Sequence, residues 1–406
     1  MAKEKRRSIG IILLAWLAYL TSYLGRSDYG ACLLEIIADA AIPRAAAGMV
    51  SSSFALCNAL GQLATAAIVR RVRPILLIGS ELFGVMLINL AFPFSKGIGL
   101  MILLWGLNGA LQATLLSGLT GLFSDTLEEP WLSRGAVLLN TIGAVGGMIN
   151  YLAAPVLISF AGWQAVFYTV SSLLGTMLLV WCALMPRLSP KPERTAVQKA
   201  RKTEKIIHHG LGLTTVAILS FLVGMMRESI TLWLPSYLYD NFAISSARAT
   251  ALTAAIPMLQ ILGAFFGGWL GRRAKSIFLP VALFFLLSSL CFGMIQIQGI
   301  GILPTVFLFA VNAIVMTGAL TLLVSIFPIR YLLHGNIAGF VAILNFFVHL
   351  GDFAASTGYG WLSMLGGWGL SLTAMAMLSL LAAAVALFAT KKNKKRRIIR
   401  NGKKGI

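Results

Sequence analysis

Long apolar stretches make up most of this chain, and glycine, proline and charge cut them at short intervals. A run of about 17–25 apolar residues is long enough to cross a bilayer as a helix. Twelve such runs stand at 9–36, 46–69, 75–94, 98–123, 134–158, 165–185, 211–238, 249–270, 277–296, 301–328, 336–362 and 369–390. The pattern predicts an all-α membrane protein with twelve transmembrane helices. One polar stretch of any length interrupts it, from Pro186 to Gly210, where Pro186, Pro190 and Pro192 precede a basic run. It divides the spans six and six. The expected domains are an N-terminal six-helix bundle at 1–185, a cytoplasmic linker at 186–210, a C-terminal six-helix bundle at 211–390 and a basic cytoplasmic tail at 391–406.

Landmarks recur across the linker at a near-constant offset. Arg26 and Arg227 are 201 positions apart, and the turn Arg70-Arg71-Val72-Arg73 matches Gly271-Arg272-Arg273 at about 201. Asn140 and Asn345 are 205 apart, as are Gly162-Trp163 and Gly367-Trp368. Self-similarity of this kind marks a duplicated unit, and parallel helical repeats around a midplane site are one transporter architecture. The glycine rows Gly263-x3-Gly267-x3-Gly271 and Gly143-x2-Gly146-Gly147 suit close backbone approach, which accounts for them without chemistry.

Apolar residues are 58% of the chain and charged residues 11%, against about 45–50% and roughly 25% in a soluble domain. A formal charge of +20 would point to nucleic acid in a soluble protein, but its distribution says otherwise. With the amino terminus taken as cytoplasmic, 28 of the 33 basic residues fall in cytoplasmic segments, and Arg44, Lys96 and Arg248 fall outside. The positive-inside rule then puts both termini in the cytoplasm of a multi-pass cell-membrane protein. The basic tail lies against anionic membrane lipids, and no nucleic-acid partner is expected. Cys32, Cys57, Cys182 and Cys291 lie in apolar runs as small hydrophobes, with no metal-ligand spacing and no disulfide framework. The opening Lys3-Glu4-Lys5-Arg6-Arg7 resembles the start of a signal peptide, but without a small-residue cleavage site it is read as part of a retained first helix.

The two basic residues left over, Arg26 and Arg227, sit alone inside apolar runs. A guanidinium stays charged at physiological pH, and placing one mid-membrane costs at least ~2.5–3.5 kcal/mol. Carrying that cost once per half points to joint use. Equivalent positions of parallel repeats lie at similar depth, so the expectation is that the two face one another and clamp an anion, each through two parallel hydrogen bonds. The competing expectation is that each pairs with a nearby acid. Asp28 and Glu228 are the candidates, although neighbours one or two positions away do not share a helix face.

At these residues the chain resembles the organophosphate:phosphate antiporter family of the major facilitator fold. Its seventh span, Arg227-Glu-Ser-Ile-Thr-Leu-Trp233-Leu-Pro235-Ser-Tyr237-Leu238, has that family's arginine, tryptophan, proline, tyrosine and leucine in order. The first span has Tyr19, Tyr23 and Arg26 at the family's spacing, and the fifth, Asn140-Thr-Ile-Gly143-Ala-Val-Gly146-Gly147, follows Asn-x-x-His-Asn-x-Gly-Gly. The resemblance implies that Arg26 and Arg227 hold a phosphoryl group, with Tyr19 and Tyr23 shaping the cavity. The chain also departs from the family. The cavity histidine falls on Gly143, a lysine on Cys57 and a tyrosine on Ser53, while Thr65 and Arg272 replace the acid of the facilitator gating loop. With Glu228 beside the second arginine and Asp352 in span 11, the site is less positive than a sugar-phosphate carrier's, and a singly charged or zwitterionic anion becomes a candidate.

Span 11 carries Asn345, His349 and Asp352 at spacings of four and three, hence on one helix face. Histidine titrates near neutral pH, so His349 and Asp352 either couple protons to transport or form a satisfied structural pair. Glu81 is expected to bridge to the basic turn at 70–73, and Glu35 and Asp39 to end span 1 in solvent. No phosphate loop with lysine, HExxH or cysteine pair is present, so neither an enzyme activity nor a metal or cofactor is expected. His208 and His209 are read as solvated linker residues.

The expected function is a monomeric secondary transporter of a small organic anion, organophosphate first and carboxylate or phosphonate second. Arg26, Arg227, Tyr19, Tyr23, Glu228, Asn140 and Asn345 bind substrate; His349 and Asp352 serve proton coupling; protons or inorganic phosphate are the coupling ions. The alternatives are a proton-driven exporter of lipophilic solutes and a non-transporting phosphate-ester sensor of the same fold.

Overall fold

The computed structural model describes residues 2–189, 210–331 and 337–402; most of the expected linker, with His208 and His209, lies outside them. The described residues are almost wholly helical. In chain order they form α1 (Ala2–Ala31), α2 (Leu33–Asp39), α3 (Arg44–Arg71), α4 (Pro74–Ala91), α5 (Ile98–Gln112), α6 (Leu115–Thr126), α7 (Trp131–Leu139), α8 (Ile142–Ala161) and α9 (Gln164–Leu188). Then follow α10 (Gly210–Phe242), α11 (Ser246–Thr253), α12 (Ala255–Arg273), α13 (Phe278–Ile295), α14 (Ile302–Leu320), α15 (Phe327–Tyr331) and α16 (Ile337–Gly402).

Several expected spans are pairs of helices. The first breaks at Cys32 between α1 and α2 rather than running unbroken to 36, and the fifth breaks at Asn140 and Thr141. Ten helices among the described residues are long and apolar enough to cross a membrane. One of them, Phe340–Lys391, is 52 residues long and loses helical geometry at Gly366 and Gly367, so it is two helices that match the last two expected spans. The remaining expected span, 46–69, falls on the 28-residue α3, which is not one of those ten.

The duplication is written in the backbone as well as in the side chains. Gly162 and Gly367, 205 positions apart, both have positive φ, at 73° and 68°. Among the described residues, Ala41 and Ala243 are the non-glycine residues with positive φ, both at 50°. A left-handed conformation is unfavourable for alanine, so its recurrence at equivalent loops marks two copies of one turn.

The structure divides into two compact units, Met1–Lys202 with Leu238–Met258, and Thr203–Tyr237 with Leu259–Ile406. In the first, Ile11, Ala15 and Ala18 of α1 join Ile78, Leu82 and Val85 of α4 and Leu174 and Trp181 of α9 in one core. The end of α10 and the short α11 pack within this unit, where Arg44 reaches Asp240 at 2.5 Å. In lipid the hydrophobic effect does not drive helix against helix, so packing and interhelical hydrogen bonds do that work. A polar ladder supplies it along α1. Asn108 and Asn89 donate to the carbonyl of Gly25 at 2.7 and 3.3 Å, Asn150 donates to that of Leu24 at 2.8 Å, and Gln112 to that of Ser22 at 3.4 Å. Ser22 also donates to Glu81, which is 1% exposed. Glu81 therefore turns to α1 and not to the basic turn at 70–73, because its place on α4 faces the core.

In the second unit the close contacts are between backbones. A Cβ on Gly263 would strike the carbonyl of Ile314, and one on Gly267 would strike Gly318, which brings α12 onto α14. Gly224 abuts the carbonyl of Val348 and Gly351 that of Phe221, which brings α10 onto α16.

Candidate functional site

Arg26 lies on the stretch of α1 that the amide ladder fixes, since the carbonyls of Ser22, Leu24 and Gly25 all accept from neighbouring helices. Its guanidinium carbon sits 4.9 Å from the ring centre of Phe54 on α3 and 5.9 Å from that of Tyr23. The aromatic face offers a diffuse negative potential to the cation. No carboxylate lies within salt-bridge distance of Arg26 among the described residues. Asp28, the acid two positions on, is fully buried and accepts from the backbone N–H of Tyr29 at 2.8 Å. Arg26 is thus a half-buried cation held over two rings.

Tyr23 fits beside α8 because Gly146 makes room for it, since a Cβ there would come within 2.8 Å of its ring; a Cβ on Gly143 would stand at ordinary contact distance, 3.6 Å from its hydroxyl. Tyr19, one turn earlier, packs against the unit's core. Gly143, at the position of the family's histidine, therefore faces the Tyr23 hydroxyl. Asn140 is exposed at the end of α7, and its amide donates to the carbonyl of Ala136 of its own helix at 3.1 Å. Ser53 bonds to the carbonyls of Val50 and Ile102, and Cys57 lies against Gly106 of α5. Phe54, between them in sequence, is the α3 residue that meets the arginine.

In the second unit, Arg227 on α10 and Asp352 on α16 form an ion pair, Nη2 to Oδ2 at 3.3 Å. The same Oδ2 is 2.9 Å from Nδ1 of His349. Asp352 is 2% exposed, whereas the Arg227 side chain is 24% exposed. This acid comes from another helix, 125 positions away. Glu228 accepts instead from the hydroxyl of Thr231, at 3.4 Å. Asn345 lies half-buried one turn before His349 on the same face of α16.

The triad is braced from behind. Trp233 donates its indole N–H to the carbonyl of Ser356 at 3.1 Å, and Ser356 donates its hydroxyl to the carbonyl of Asp352 at 2.9 Å. Trp233, buried, also packs on Trp368. The tryptophan of the seventh-span motif thus holds α16 where its carboxylate meets the arginine. Elsewhere, Arg330 gathers the carbonyls of Gly271, Ala274 and Lys275 at the end of α12, a cation at a helix C-terminus. Asp39 accepts from the indole N–H of Trp163 at 2.9 Å, a bond beyond the solvated end expected for it.

Sequence reasoning missed Phe54, Gly224 and Gly351. Gly224 precedes Arg227 by three and Gly351 directly precedes Asp352, so a glycine close to each buried charge was the available signal.

The chain is 23% identical over 290 residues to the membrane sensor protein UhpC of Escherichia coli, covering 64% of this chain and 63% of that one. It is 22% identical over 292 residues to a probable hexose phosphate transport protein of Chlamydia trachomatis, covering 63% and 62%. A probable chloroplastic anion transporter of Oryza sativa is 22% identical, covering 66% and 53%. The chain therefore spans less than two thirds of the length of these curated relatives. Among solved structures, a bacterial homologue of the human lysosomal transporter Spinster, inward-facing and unoccupied, superposes with a TM-score of 0.82. That likeness covers 95% of this chain and 97% of the other at 14% identity, and it speaks for the fold alone. The profile of the Major Facilitator Superfamily matches residues 15–332, and the chain belongs to that superfamily.

Proposed function

We propose that this chain is a secondary transporter of a small organic anion, an organophosphate first, working by alternating access between the two sides of a cell membrane. The observation that carries it is one intramembrane arginine in each unit, Arg26 over aromatic rings and Arg227 beside a buried carboxylate. Ionisable groups in membrane spans are costly and mark substrate or ion paths. A guanidinium offers a phosphoryl or carboxyl group two parallel N–H donors. In this reading Arg26 and Arg227 meet the anion's charge, Tyr19, Tyr23, Glu228, Asn140 and Asn345 contact the rest of it, and His349 with Asp352 binds the coupling proton. Relatives named as hexose phosphate and anion transporters support the anionic substrate.

The test is counterflow in proteoliposomes with phosphate esters, phosphonates and carboxylates. The wild type exchanges at least one of them, and Arg26→Ala exchanges none; transport surviving in Arg26→Ala ends the reading. A second reading follows from the likeness to a membrane sensor protein: a receptor binds the same anion without exchanging it, so binding without counterflow selects the sensor.

Phe54 gives a finer check. Phe54→Leu keeps most of the side chain's volume and removes the ring beneath Arg26, a cation–π contribution of about 0.5–1 kcal/mol. Anion affinity falls roughly two- to fivefold, while Phe54→Tyr keeps it. Equal affinities in the two variants would show that the ring does not act on the arginine.

A further inference from the structure

Asp352 stands where an anionic ligand of Arg227 would stand. We propose that it is an internal substitute for the substrate, and that a proton taken up by the His349–Asp352 pair hands Arg227 to the incoming anion, making the chain a proton–anion symporter. This rests on the anion-binding role given to Arg227 above and adds to it the coupling ion and the order of exchange.

Three observations carry the inference. First, Arg227 and His349 share one oxygen, Oδ2 of Asp352, at 3.3 and 2.9 Å. A charge gained by the imidazole draws on the same lone pairs that hold the guanidinium, and a proton on the carboxyl removes the charge that attracts it. Second, the arginine contact is the weaker one. Charge-assisted N–H to carboxylate bonds run about 2.7–2.9 Å, so the bond from Arg227 at 3.3 Å is long for its kind. Third, the carboxylate cannot follow the arginine. It is 2% exposed, its own carbonyl accepts from Ser356, which Trp233 holds in turn, and Gly351 beside it is pressed on the backbone of α10. Arg227, with a side chain 24% exposed, is the partner with room to turn.

The charge balance sets the coupling. Arg227 and Asp352 cancel while His349 is neutral, so an anion that takes Arg227 leaves a carboxylate buried and uncompensated, which is expensive. One proton arriving with the anion removes that penalty and leaves the sum over the triad and a singly charged anion unchanged. Among the described side chains, the other titratable or charged groups on the helices packed against this part of α16 are Glu228, Tyr237, Tyr239 and Asp240 on α10, Cys291 on α13 and Arg330 on α15, and Glu228 is the one next to Arg227 in sequence. Glu228 adds a negative charge and so strengthens the demand for the proton.

Sulfate is a suitable probe, because it is a tetrahedral oxyanion that does not itself titrate near neutral pH. Calorimetric titration of the purified full chain at pH 6, 7 and 8, repeated in two buffers of different ionisation enthalpy, reads both affinity and protons taken up. The wild type binds sulfate more tightly as pH falls, by about tenfold per pH unit where one proton is required, and takes up one proton per sulfate. Asp352→Asn, nearly the same shape without the charge, binds at pH 8 as tightly as the wild type at pH 6 and takes up none. Sulfate binding with a flat wild-type pH profile, or an Asp352→Asn variant that keeps the wild-type slope, overturns the symport inference and leaves the anion site standing. No sulfate binding in either protein at any pH removes the anion site and the inference with it.

Discussion

Arg227→Ala abolishes transport and lowers the unfolding temperature, and adding Asp352→Asn restores the temperature but not the transport. The two losses have separate causes. Removing one partner of a buried ion pair leaves the other charge uncompensated, at about 3–5 kcal/mol. Asp352 is the buried partner, 2% exposed; His349 still reaches its Oδ2 at 2.9 Å and offsets part of the loss, which places the expected cost near ~3 kcal/mol. Replacing the carboxylate by an amide deletes the stranded charge, so the double variant unfolds close to the wild type. Transport answers to a different quantity. An anion that has lost its cation loses roughly thirtyfold or more in affinity, and neutralising Asp352 supplies no substitute. Unfolding followed by intrinsic tryptophan fluorescence and uptake in proteoliposomes separate the two effects. A double variant that transports would mean that Arg227 serves only to neutralise Asp352.

Much of this was legible in the residues. The lone arginines, their offset of 201 and the His349–Asp352 spacing picked out the charged groups that the structure finds within apolar helices, because a charge in an apolar run is visible without coordinates. The partner of Arg227 was not legible. Helical spacing relates residues on one helix, but the Arg227–Asp352 pair joins positions 125 apart on two helices, and their meeting depends on how closely two backbones pack. Glu81 illustrates the same limit. Its position in span 3 suggested the nearest cations, while rotation about the helix axis turned it to Ser22. Phe54 was hidden because positions 53 and 57 of its helix carried the family comparison, and those side chains face α5.

The pairing of charges thus rests on glycine. In an exposed helical position, Gly→Ala stabilises by about 0.8–1.0 kcal/mol, and Gly358, with open space where its Cβ would be, should follow that rule. Gly351, seven residues earlier on the same helix, should reverse it. A methyl there meets the carbonyl oxygen of Phe221 and the amide nitrogen of Met225, both backbone atoms that cannot turn aside. Overpacking costs about 1–3 kcal/mol where side chains can rearrange, and backbone obstacles put Gly351→Ala at the upper end of that range or beyond. The helices must separate, and Asp352, the next residue, moves away from Arg227 with α16. Gly351→Ala therefore loses stability where Gly358→Ala gains it, and it also flattens the pH dependence of anion binding, because the carboxylate no longer competes for the guanidinium. Gly224→Ala, on the opposite face of the same contact, should do likewise. Thermal midpoints of the three variants decide the matter by sign alone: if Gly351→Ala unfolds at or above the wild-type temperature, close approach of α10 and α16 is not what brings the charges together.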